Sequence, residues 1–177
     1  MTAPTPLAGH GFSVELPTAW EGRIFQRDAQ EAAFAPNNRL QDTSGAPDAA
    51  PQGWPGETTR AVVHLANFAL PAERGDYGSG AVEMMSSADT FVSLVEFGPE
   101  LLGTPLYRAS GIPRTEPRLF NPNGLQRRIE GQAGSQFFFT VNNRPLCLYV
   151  VIGSYTDAVS LSARVNRVLE KIKVDAP

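Results

Sequence analysis

Few side chains in this chain of 177 residues could do chemistry, and their spacing decides what kind. There are two histidines, His10 and His64, and one cysteine, Cys147. His64 lies in the apolar run AVVHLA and Glu96 closes the run TFVSLVE. If those runs are neighbouring strands, the two side chains could meet as an acid–base pair. The competing expectation is a packed histidine, because an active site brings several groups together. Two distant histidines make a poor metal site. Cys147 stands in RPLCLYVVI with no base beside it in sequence, so it is expected to be a small buried apolar residue. GDYGSG, at 75–80, could offer N–H groups to an anion. It lacks the Lys-Ser/Thr ending of a phosphate loop and reads as a turn before a short helix, AVEMMSS, whose Met84 and Met85 need not both face the core. No catalytic residue, metal site or cofactor is assigned.

The binding candidates are of another kind. Trp54 sits in GWPG within a polar stretch, and either anchors a partner or ties down its own loop. Arg108, Arg114, Arg118, Arg127 and Arg128 fall within residues 98–135, with acids at 100, 116 and 130, for a net charge of +2. They could grip an acidic partner bidentately or stand as solvated loop charges. Residues 27–59 carry net −3, with acids at 28, 31, 42, 48 and 57 against bases at 27 and 39. Both stretches are rich in Pro and Gly and are expected to be long loops.

The elements that must position these groups follow from periodicity. Asn142-Asn143 suits a two-residue turn, which pairs Phe139 with Leu146, Phe138 with Cys147 and Phe137 with Leu148. Both faces of that hairpin are apolar, as in a sheet covered on two sides. A helix follows over about 156–171, capped by Thr156 or Asp157. Its apolar stripe is Ala158, Leu161, Val165, Val168, Leu169 and Ile172. Phe12, Val14 and Leu16 alternate with polar residues, and 22–26 is expected to close a hairpin with that strand. Residues 60–68 and 90–97 read as further strands. The order predicts an α+β fold: a mainly antiparallel sheet of about six to seven strands flanked by helices. Residues 1–10 are expected to be a loose tail and 11–175 one domain.

Composition narrows the classes. Hydrophobic residues make up 42% and charged residues 19%, and 15 bases face 18 acids. A net charge of −3 gives no reason to expect nucleic acid or anionic membrane as a partner. The start, MTAPTPLAGHGF, has neither the basic nor the apolar region of a signal peptide, and no run is long enough to span a bilayer. With a lone cysteine, the expected location is cytoplasmic.

GFSVELPTAW resembles the first strand of the PsbP/DcrB-like superfamily, with its aromatic-Ser-apolar-x-apolar-Pro-x-x-Trp pattern. The closing strand, helix and short strand are similar to that superfamily too. The ending VNRVLEKIKV is similar to that of a set of uncharacterised actinobacterial proteins. The resemblance covers the two ends of the chain and implies an α/β/α sandwich. Members are mostly not enzymes: photosystem accessory proteins, a Ran-binding protein, and chaperones that mask apolar segments of secreted effectors. The resemblance supplies no catalytic residues. With no converging catalytic set and two Pro/Gly-rich loops of opposite net charge, the expected function is a non-enzymatic protein-interaction module, an adaptor or chaperone-like subunit of a larger assembly. A homodimer is compatible with it. The alternative is a small-molecule binder or enzyme with a pocket between sheet and helix, walled by His64 and Glu96.

Overall fold

The computed structural model describes residues 5–26 and 60–177. The hairpin at its centre is the one the sequence predicts. Strands β6 (Ala133–Val141) and β7 (Arg144–Ile152) pair antiparallel, with Phe137 opposite Leu148, Phe138 opposite Cys147 and Phe139 opposite Leu146. The turn works because Asn142 and Asn143 both adopt positive φ, 47° and 61°, which a primed two-residue turn requires. β7 also pairs with β5 (Thr90–Glu96), β5 with β4 (Ala61–Ala66), and β4 with β3 (Glu21–Gln26). The result is a five-stranded antiparallel sheet in the order β3-β4-β5-β7-β6.

Alternation gives this sheet two apolar faces. Val63, Leu65, Val92, Leu94, Leu148 and Val150 point to one of them. There they meet helix α1 (Ala158–Leu169), which lies within the predicted span, and its stripe Ala158, Leu161, Val165, Val168 and Leu169 is buried as expected. Neither Thr156 nor Asp157 caps the helix with its side chain; Thr156 bonds Ser154 instead. Val62, Phe91, Val95, Cys147 and Tyr149 point to the other face.

A second sheet, of three strands, completes the layer beside α1. Its order is β1-β2-β8, with β1 at Thr5–Gly9, β2 at Phe12–Leu16 and β8 at Ile172–Val174. The expected loose tail is thus a strand from Thr5 onward. His10 and Gly11, at φ 50° and 79°, turn the chain back, and Leu7 pairs with Val14 and packs on the core. The expected β2–β3 hairpin is not formed either. β2 pairs with β1 and β8, and β3 crosses into the larger sheet. The reason is close packing of one sheet over the other. A Cβ on Gly22 would lie 2.6 Å from Leu7 and 2.9 Å from Leu65, so only glycine lets the N-terminal sheet lie over β3.

Two further expectations are corrected. The described residues hold eight strands in two sheets, one more than the upper expectation, because β1 was not foreseen. The helix expected at AVEMMSS is a single 3-10 turn, Val82–Met84, entered through Gly78 and Gly80 at φ 85° and 91°. The α+β class stands, but among the described residues the one α-helix covers one face only. The opposite face is covered by irregular segments that supply Phe68, Leu70, Tyr77 and Leu125. No helix among the described residues is long and apolar enough to cross a membrane.

Candidate functional site

His64 and Glu96 do not form an acid–base pair. His64 stands opposite Ser93 across β4 and β5. Glu96 is three residues further along β5, and an odd offset places a side chain on the other face of a sheet. Each is held by its own partners. Arg74 donates from Nε to His64 Nδ1 at 2.8 Å; arginine can only donate, so Nδ1 accepts and Nε2 carries the proton. That Nε2–H donates to the Asp76 carbonyl, also at 2.8 Å, and Ser93 Oγ donates to the same oxygen. The rings of Phe25 and Phe91 lie 5.1 and 5.2 Å away, and the imidazole is fully buried. His64 thus pins the 71–80 segment onto the sheet.

Burial pushes the His64 pKa down to about 4; the Asp76 carbonyl works against this and the Arg74 charge with it. Unfolding releases the ring to an ordinary value near 6.5, so between those values the unfolded chain binds more protons than the folded one. The His64 contribution to stability is therefore complete above pH 6.5 and falls by about 3 kcal/mol as the pH drops toward 4. Denaturant midpoints measured across that range check this. His64→Gln should flatten that part of the profile, whatever its effect at pH 7.

Glu96 binds Arg144 bidentately: Nε to Oε1 and Nη2 to Oε2, both at 2.8 Å. Arg144 Nη2 also donates to the His10 carbonyl at 2.8 Å, and its guanidinium lies 4.3 Å from the centre of the Phe12 ring. The pair joins the large sheet to the N-terminal hairpin. Sequence reading missed Arg144; its one signal was a charged residue opening an otherwise apolar strand.

The remaining chemical candidates are structural. Cys147 is fully buried, and its sulfur accepts from Gln136 Nε2. In the glycine run, Gly75 N–H bonds the Ser79 carbonyl and Gly80 N–H bonds Glu83, so the chain's own carboxylate takes the place of an external anion. Met84 is exposed while Met85 packs inward. Among the described residues no three His, Cys, Asp or Glu side chains are grouped to hold a metal ion.

The five arginines do not form one patch. Arg114 pairs with Glu170 and Arg118 with Glu116, each at 2.6 Å and well exposed. Arg108, Arg127 and Arg128 are exposed and bind no carboxylate among the described residues. They flank β6. Arg108 precedes Ala109, whose carbonyl accepts from Thr140 N–H. Arg127 and Arg128 follow the Asn121–Gly124 turn that bonds Gly134. Trp54 lies outside the described residues.

No family model, curated protein or solved structure matches this chain. What the chain can bind is therefore read from its surface. A cleft of about 280 Å3 lies between Ile112–Arg114 and the end of α1, lined also by Asn166, Leu169 and Ile172, and by neither His64 nor Glu96. Its buried amide is engaged: Asn166 accepts from Thr115 N–H at 2.8 Å and donates to the Thr115 carbonyl at 2.9 Å. A different kind of surface occupies the end of the molecule where β7 stops. Val159, Met84 and Tyr155 are 73, 62 and 46% exposed. Their segments are tied together: Tyr155 N–H donates to the Gly131 carbonyl, and the neighbouring Gln132 side chain donates to the Val82 carbonyl.

Proposed function

We propose that this chain is a non-enzymatic protein-interaction module, an adaptor or chaperone-like subunit working in the cytoplasm. The exposed apolar side chains Met84, Tyr155 and Val159, on segments linked by hydrogen bonds, carry this reading. Val159 stands in the first turn of a helix whose other outward residues include Ser160, Arg164 and Arg167, so water faces a large apolar side chain beside polar ones. Such side chains gathered on bonded segments are the surface a protein partner covers, and aromatic and methionine side chains are favoured there. The groups that could do chemistry are meanwhile engaged in structural bonds. Kinship with PsbP/DcrB-like proteins is part of the proposal. Its support is that the two stretches carrying the resemblance, β2 and β8, are hydrogen-bonded neighbours. The Ile112–Leu169 cleft favours a second reading, a small-molecule binder.

Affinity capture from the native host tests the first reading, with the wild-type chain beside a Tyr155→Ser/Val159→Glu variant. Both positions are exposed, so the variant should unfold at the wild-type temperature. The wild type should retain a stoichiometric partner that the variant loses. A homodimer through this end would show as twice the 19.1 kDa chain mass, again lost in the variant. Identical captures by the two proteins, or none by either, would overturn the reading.

A further inference from the structure

We infer that the outer edge of β6 is a docking slot for a short, extended, acidic peptide segment, which adds to the sheet as a sixth strand. The inference rests on the interaction-module reading and names a second surface for it. β6 is an edge strand of the large sheet. In an antiparallel ladder, alternate residues turn both N–H and C=O away from the partner strand. Gly134 and Thr140 do so, because Gly134 exchanges bonds with Asn121 and Thr140 bonds Ala109 and Gly111. Gln136 and Phe138 share their parity, so their four main-chain groups also point outward. Those groups have no partner among the described residues.

The edge is thus closed at both ends and open in the middle. At about 3.4 Å per residue, the gap between the two closures admits a strand of about three to five residues. The closures choose the occupant. A second copy offering its own nine-residue β6 would run into Ala109–Gly111 or Asn121, so straight edge-to-edge pairing is blocked. A short segment that enters and leaves the edge is not blocked. Charge chooses further: Arg108 stands at one end and Arg127 and Arg128 at the other, all exposed and without carboxylate partners among the described residues, with Glu130 the acid of that loop. Main-chain bonds would hold the peptide, and the arginines would select its charge. The half-buried ring of Phe138 offers apolar contact between the arginine ends.

The probe is the acetylated, amidated peptide Glu-Val-Asp-Val-Glu, titrated into isotope-labelled full-length protein, with Lys-Val-Lys-Val-Lys as its counterpart. The expected result is amide shifts centred on Gln136 and Phe138, slower exchange at those two amides, and at least about tenfold weaker binding of the basic peptide. Gln136→Pro removes an outward N–H while leaving the β7 ladder whole, so binding should fall about tenfold or more. It also removes the Gln136 Nε2–Cys147 Sγ bond, so Gln136→Leu, which loses that bond and keeps the N–H, is the control that should bind like wild type. Arg127→Glu with Arg128→Glu should remove the preference for acid. No binding by the acidic peptide, equal binding of both peptides, or full binding by a folded Gln136→Pro protein would each overturn the inference. Partner capture through Val159 alongside an edge that ignores the peptide would refute the slot alone. Peptide binding with no captured partner would refute the apolar-end reading alone.

Discussion

Val165→Asp abolishes the folded state. Val165 sits mid-helix with no exposed surface, on the stripe that faces the large sheet. Losing its burial costs about 1.5–3 kcal/mol. A carboxylate in its place meets only apolar side chains in the described core, and an unpaired buried charge costs several kcal/mol more even after the site relaxes. The sum of about 5 kcal/mol or more equals the whole stability of many domains. The outward-facing control Arg167→Asp should stay within about 0.5 kcal/mol of wild type. Circular dichroism through a denaturant series compares the two. A Val165→Asp protein with a cooperative transition within about 1 kcal/mol of wild type would contradict the placement of α1.

Arg144→Ala comes second, at about 3–5 kcal/mol. The Arg144 and Glu96 side chains are 7% and 13% exposed, so this pair is shielded where Arg114–Glu170, at 71% and 54%, is not. Truncation strands the Glu96 carboxylate, frees the His10 carbonyl and uncovers the Phe12 ring. For a chain of this size the unfolding temperature should drop by about 6–20 °C. Removing Arg114 should cost under about 1 kcal/mol. The N-terminal turn should loosen first, seen as faster exchange at Asp175, whose N–H is bonded to the Gly11 carbonyl. Because most of the penalty is the orphaned charge, Arg144→Met combined with Glu96→Leu should recover much of it. A double variant no better than Arg144→Ala would show that the pair is worth more than its desolvation.

What was legible in the sequence was local. Asn142-Asn143 fixes both turn and register, and from them the facing of Phe137, Phe138 and Phe139 follows. The α1 stripe is likewise written at spacings of three and four. What was not legible depends on pairings distant in sequence. TPLAG has no alternation to mark it as a strand, and it becomes β1 only because His10-Gly11 folds it onto β2. Nothing near β3 says that its partner lies beyond residue 59. His64 and Glu96 looked like possible partners until the β4–β5 register set them on opposite faces. Arg144 reads as a polar residue at the head of an apolar strand until the same sheet brings Glu96 beside it. Asn166 lies off the apolar stripe, yet it is buried because Thr115 crosses over it. The five arginines read alike in sequence, and only the fold hands Glu170 to Arg114 and leaves Arg108, Arg127 and Arg128 beside the β6 edge.

The central proposal is that this protein meets others through surfaces that its described residues leave unfinished, the β6 edge among them. Residue-resolved amide exchange on the free protein tests that edge directly. Gln136 and Phe138 should exchange fast, while Phe137 and Phe139, bonded to β7, and Gly134 and Thr140, bonded to Asn121 and Ala109, should exchange slowly. Uniform protection along β6 would mean that the edge is already filled, and would contradict the account.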